Sequence, residues 1–202
     1  MYCPPFFVCA ALFLCLSCTS VQESRPLPLD EIEEGDLAFR CGQGVFSRAV
    51  TTTEDDGRYS HIGVIVREDG KWKVVHAVPG ETEFKGDFDR VKMEDLDLFF
   101  SPERACRGSI VHTGLRDSLQ VRSLCRRAIR AALDSVRFDD SYLLEDSTEV
   151  YCTEFIWRLY RQSGIDLSEG RRRYVNVLYI KGNVILPEHL YAYSGNEVYY
   201  TF

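Results

Sequence analysis

Cys152, His61 and His76 are the residues of this chain whose types and settings suit covalent chemistry. A thiol acts as a nucleophile when an imidazole takes its proton and hydrogen-bond donors await the oxyanion. Cys152 stands at the expected start of a helix, where backbone N–H groups lack partners and the dipole amounts to about half a positive charge. Such a setting can lower a cysteine pKa from about 8.5 to between roughly 3.5 and 7.5. His61 sits between a polar loop and one β-branched run, and His76 near the end of the next. Pairing of these runs across Asp69-Gly70 is expected to set the two histidines nearly opposite, with Cβ atoms roughly 5 Å apart. His76 can then orient His61 through a ring-to-ring hydrogen bond. A zinc site from His61, His76 and Cys152 is conceivable on ligand types, but the spacing carries no metal signature. The expectation is a site with no metal and no cofactor.

These residues need elements to hold them. Residues 62–66 and 72–78 form the hairpin. Residues 37–40 and 109–112 read as further strands, and residues 45–51 as a short helix. From 115 to 136, Leu124, Cys125, Ala128, Ile129 and Ala132 recur at three- and four-residue steps while arginines face elsewhere, the pattern of an amphipathic helix. Cys125 on that face is core. A second helix opens at Tyr151-Cys152 with the stripe Phe155, Ile156, Leu159, Tyr160. Glu154 can pair with Arg158 one turn on, and Gly164 terminates the helix. After Tyr174 a strand and a short helix near residues 187–190 are expected. The class is α+β, one antiparallel sheet packed against helices.

The N-terminus has a different character. Apolar residues fill positions 6–17 almost without interruption and no charge occurs there, too short for a spanning helix of about 20 residues but suited to a signal-peptide core. Cys15-Leu16-Ser17-Cys18 is similar to a bacterial lipobox, with Cys18 the acylated residue. The expected organisation is a leader over 1–17, a linker over 18–33 and one hydrolase domain over 34–202. The protein is thus expected to be exported, as a membrane-anchored lipoprotein of the cell envelope or as a secreted protein. Export would permit disulfides among Cys41, Cys106, Cys125 and Cys152, the four cysteines beyond the leader. A formal charge of −7 with no basic patch argues against nucleic acid as a partner. Arg171, Arg172 and Arg173, the one tight basic run, read as a solvated turn.

Four segments together carry a resemblance. They are residues 35–40 (Gly-Asp-Leu-Ala-Phe-Arg), 59–64 (Tyr-Ser-His-Ile-Gly-Val), Val75-His76-Ala77, and 151–156 (Tyr-Cys-Thr-Glu-Phe-Ile). In this order they resemble the circularly permuted branch of the NlpC/P60 papain-like superfamily, in particular YiiX-like proteins, and more distantly lecithin retinol acyltransferase. The resemblance implies a papain-like core with histidine before cysteine, Cys152 as nucleophile, His61 as general base and His76 as the third polar residue. It implies hydrolysis of amide bonds in cell-wall peptides, or acyl hydrolysis or transfer on lipid-like substrates. A non-catalytic lipoprotein that binds peptide or lipid in the same cleft is the alternative class.

Overall fold

The computed structural model describes residues 26–142, 144, 148–177 and 180–202. The expected leader with Cys18, and Leu178 and Tyr179 of the tail, lie outside the described residues. Six strands form an antiparallel sheet: β1 (Leu37–Cys41), β2 (His61–Glu68), β3 (Lys71–Val78), β4 (Arg90–Asp95), β5 (Arg107–His112) and β8 (Glu197–Thr201), in the order β4-β3-β2-β1-β5-β8. A separate hairpin pairs β6 (Arg173–Val177) with β7 (Ile180–Val184). Helices α1 (Val45–Thr53), α2 (Leu96–Phe99), α3 (Ser118–Leu133), α4 (Cys152–Arg161) and α5 (Pro187–Tyr191) complete the described elements. The expected α+β class with an antiparallel sheet is the one found. Among the described residues no helix is long and apolar enough to cross a membrane.

Alternation along the strands gives the sheet two apolar faces. Leu37, Phe39, Ile62, Val64, Val66, Val75 and Ala77 pack against Leu124, Cys125 and Ala128 of α3 and Phe155, Ile156 and Tyr160 of α4. Cys125 is therefore core, as its helical position predicts. Ala38, Ile65, Val74 and Ile110 face the other way, onto Leu96, Phe99 and Phe100. Ile32, inside the expected linker, is buried in this second cluster.

The hairpin turn has Asp69 and Gly70 both at positive φ, 51° and 76°, which Asp-Gly accepts readily. Helix α3 is shorter than its periodicity suggests. Asp117 caps it by accepting hydrogen bonds from the backbone N–H groups of Leu119 and Gln120, and Ser135 at φ 52° lies beyond its end. The tail holds two strands where one is expected, and β4, α2 and β8 are additional. In β4, Arg90, Lys92 and Glu94 alternate with Val91 and Met93, a pattern that reads as a solvated edge. They are instead 9%, 3% and 8% exposed: Glu83 and Asp87 pair with Arg90, Asp87 and the Glu81 carbonyl hold Lys92, and Arg40 and Arg104 supply the counter-charges of Glu94.

Candidate active site

Cys152 is the first residue of α4. Tyr151 precedes it as N-cap but makes no side-chain cap hydrogen bond, so the opening N–H groups of the helix are left for other partners. The thiol faces them: its own backbone N–H, that of Thr153 and that of Ile62 on β2 are close enough to favour the thiolate. Two bonds fasten this end of the helix. Thr153 Oγ1 donates to the Ile185 carbonyl at 2.7 Å, and Tyr151 Oη accepts from Ile185 N–H at 3.0 Å. Glu154 is buried and paired with Arg158 at 2.8 Å, as their one-turn spacing predicts.

His61 opens β2, directly before Ile62. Ser60 fixes the approach: its N–H donates to the Arg40 carbonyl at 3.0 Å and its Oγ accepts from Gly42 N–H at 3.0 Å. His61 Nε2 lies 2.8 Å from His76 Nδ1, so the expected ring-to-ring hydrogen bond is present. The pairing behind it differs from a direct opposition. Val64 stands opposite Val75, so the next pair along sets Gly63 against His76 and leaves the two histidines diagonal. They share a face because the offset is two residues. Gly63 makes room for this. A Cβ there would stand 2.3 Å from Val74 Cγ1 and 3.1 Å from His76 Cβ, inside backbone and side chain at once. We expect Gly63→Ala to destabilise the fold by about 1–3 kcal/mol through overpacking and to disturb His76. Thermal unfolding checks this, and an unchanged midpoint would show that the sheet relaxes around the methyl group.

Beyond His76 the chain of polar contacts continues to residues given no role from sequence. His76 Nε2 lies 3.2 Å from Glu94 Oε1, within ion-pair range though off the hydrogen-bond axis. Glu94 in turn meets Arg104, and Arg40 at 3.6 Å. Arg40, opposite His61 in register, also pairs with Glu81, donates to the Phe99 carbonyl at 3.1 Å and stacks 4.4 Å over the Phe99 ring. Phe99 touches both imidazoles, at centroid distances of 5.9 Å and 5.3 Å. The histidines, Glu94 and Arg40 thus belong to the α2 side of the sheet, while α4 brings Cys152 from the other side. The thiol comes close to the backbone of Ile62, the residue that follows His61 in β2.

The electrostatics keep both partners neutral at rest. Burial, then the Arg40 and His76 charges, push the His61 pKa well below its ordinary 6.5. Burial also lowers His76, although Glu94 opposes the shift. Burial pushes the Cys152 thiol up to about 12 and outweighs its three N–H contacts. The helix-start expectation of a lowered cysteine pKa is therefore not met in this resting geometry. The tautomers follow from Glu94, which only accepts. With Nε2–H turned toward Glu94, His76 Nδ1 accepts from His61 Nε2–H, and His61 Nδ1 is left unprotonated.

A pocket of about 450 Å³, counted to its open mouth, adjoins the thiol. Val50 of α1, Val175 and Val184 of the small hairpin, and Ile185, Leu186 and Pro187 line it with Cys152 and Tyr151. His76, Glu81 and Glu94 are the described residues whose ligand atoms gather within 4.8 Å of one another, as a metal site requires. Their carboxylates already hold two guanidinium groups, those of Arg40 and Arg104.

No protein-family model matches the chain, and no curated protein matches it. Among solved structures it is similar to the crystal structure of metalloprotein yiiX from Escherichia coli O157:H7, described there as DUF1105. The two are 18% identical and superpose with a TM-score of 0.67 over 84% of this chain and 97% of the other. The chain therefore has a YiiX-like fold.

Proposed function

We propose that the protein is a cysteine hydrolase that forms a thioester on Cys152 from an amide or ester with an apolar acyl group. As Sγ attacks the carbonyl carbon, its proton passes to His61 Nδ1. The backbone N–H groups at the start of α4 and at Ile62 then receive the oxyanion. Collapse expels the amine or alkoxide, which takes the proton back from His61, and water hydrolyses the thioester with the same base. Raised thiol and lowered imidazole pKa values suit proton transfer during attack rather than a standing ion pair. The observation that carries the reading is a cysteine at the start of α4 whose thiol is close to the N–H of Ile62, the residue after His61, with His61 bonded to His76 and His76 next to Glu94.

The aliphatic pocket wall favours a lipid-like acyl group over a polar cell-wall peptide. An exported, lipid-anchored location would put either substrate within reach. The metalloprotein description of yiiX raises a metal reading, which the His76-Glu81-Glu94 cluster does not fit. A divalent cation there would join the buried Arg40 and half-buried Arg104 guanidinium groups around two carboxylates, leaving a net positive charge largely away from water. We therefore route no step through a metal. The test is covalent trapping: p-nitrophenyl hexanoate should add one hexanoyl mass to the Cys152 peptide in mass spectra. Acylation spread over Cys41 and Cys106 with none at Cys152 would discard the assignment.

A further inference from the structure

Next to the thiol pocket lies a larger cleft of about 950 Å³, lined by Glu54, Arg58, Arg171, Arg172, Arg173, Glu188 and their neighbours. The arginine run read as a solvated turn forms one wall of it. The two cavities adjoin along Thr53-Glu54 and Pro187-Glu188: the first residue of each pair lines the thiol pocket, the second the cleft. Glu54 is also close enough to Cys152 for its charge to raise the thiol pKa.

Every guanidinium group in this cleft already has partners. Arg173 holds the Thr53 carbonyl, Asp55, and Glu188 at 3.0 Å. Arg171 holds Glu169, and the His189 carbonyl at 3.1 Å. Arg172 donates to Ser168 Oγ at 2.7 Å and stacks over Trp157 at 4.8 Å. Arg58 pairs with Asp56 at 3.0 Å and stacks over Tyr191 at 5.5 Å. Glu188 likewise accepts from the N–H groups of Asp55 and Asp56. Glu54 is the exception. It is 8% exposed, Oε1 accepts from Glu188 N–H at 3.0 Å, and buried Oε2 has no hydrogen-bond partner among the described residues. A buried carboxylate oxygen without a donor is costly, and an ammonium group is the ligand that supplies both a donor and a counter-charge.

We propose that this cleft binds a primary ammonium group of the substrate, with Glu54 as its counter-ion. Burial, reinforced by the Glu188 and Asp56 charges, raises the Glu54 pKa to about 8 and outweighs the Glu188 N–H bond and the Arg173 charge, which oppose it. The inference rests on the proposed hydrolase reading in one respect: the cleft takes the leaving-group side because the apolar pocket takes the acyl side.

The test reads binding rather than turnover. Cys152 is modified with methyl methanethiosulfonate in the presence of hexylamine, hexan-1-ol or hexanoate, and its rate is followed by peptide mass spectrometry. Hexylamine should protect at a concentration roughly tenfold below hexan-1-ol, the effect of one charge-assisted hydrogen bond. Glu54→Gln should erase that difference. Equal protection by hexan-1-ol overturns the proposal, and so does stronger protection by hexanoate, which would make the arginines the recognition groups. The ligand series decides the matter even if Glu54→Gln fails to fold. Competition against hexylamine by O-phosphoethanolamine or by lysinamide then tells a lipid headgroup from a basic residue, and failure of both rejects a substrate group. Amine protection without acyl trapping at Cys152 would discard the hydrolase reading and keep the cleft; trapping without amine preference would do the reverse.

Discussion

Cys152→Ala is expected to lower kcat/KM by roughly 10⁴-fold or more, and His61→Ala by a similar factor. In the proposed mechanism the thiol supplies the atom that bonds to the acyl carbon, and no neighbour replaces it: Tyr151 Oη is committed to Ile185 N–H and Thr153 Oγ1 to the Ile185 carbonyl. The thiol pKa of about 12 makes the second variant nearly as severe. A thiol held that far up stays protonated at neutral pH when unaided, so attack depends on the base. The two residues act in one step, and the double variant should be no slower than the slower single. His76→Asn should cost less, about 10–100-fold, because it orients the base without touching substrate. Activity with one apolar acyl ester, measured alongside circular dichroism of each variant, checks the series. Retained turnover in either alanine variant would sink the assigned roles.

The sequence exposes the thiol and the two histidines more plainly than the network that holds them. Cys152 and His61 sit at element boundaries, where a helix start and a strand end are marked by a change of hydrophobic period. The hairpin is legible because Asp69-Gly70 dictates its own turn, which fixes which histidine can meet which. The histidines are diagonal rather than opposite because the two-residue Asp69-Gly70 turn pairs Glu68 with Lys71, which sets Gly63 rather than His61 against His76, and Gly63 leaves room for the diagonal approach. Glu94 is hidden for a physical reason. Its alternation with Val91 and Met93 is that of a half-solvated edge strand, and nothing local shows that residues 81–87 will cover the polar face with carboxylates. The cleft is hidden likewise: a run of three arginines looks solvated until Asp55, Glu188 and Trp157 are brought to it from elsewhere in the chain.

Glu94→Ala should produce the largest loss of stability, about 3–5 kcal/mol, because it breaks a buried charge network by removing one partner. Arg40 is 2% exposed and would keep Glu81 and the Phe99 carbonyl but lose the carboxylate between itself and His76. For a domain of this size the unfolding midpoint should fall by on the order of 10 °C. The same substitution frees His76 Nε2, so the tautomer that leaves His61 Nδ1 basic is no longer enforced. Glu94→Gln separates the two effects. Its amide oxygen can still accept from His76 Nε2–H, so it should lose stability with most of the activity retained below its midpoint, whereas the alanine variant loses both. The pH dependence has a definite sign. Burial alone would raise the Glu94 carboxyl, but His76, Arg40 and Arg104 outweigh it and hold it below its ordinary 4.5. An acid whose folded pKa lies below its unfolded one stabilises fully above the unfolded value and loses that contribution as pH falls through the folded one. The difference in midpoint between the unmutated protein and Glu94→Ala should therefore be complete near about pH 6 and shrink below about pH 4.5, the ordinary carboxyl value. A difference that is constant over this range would mean that Glu94 holds the site by packing rather than by charge.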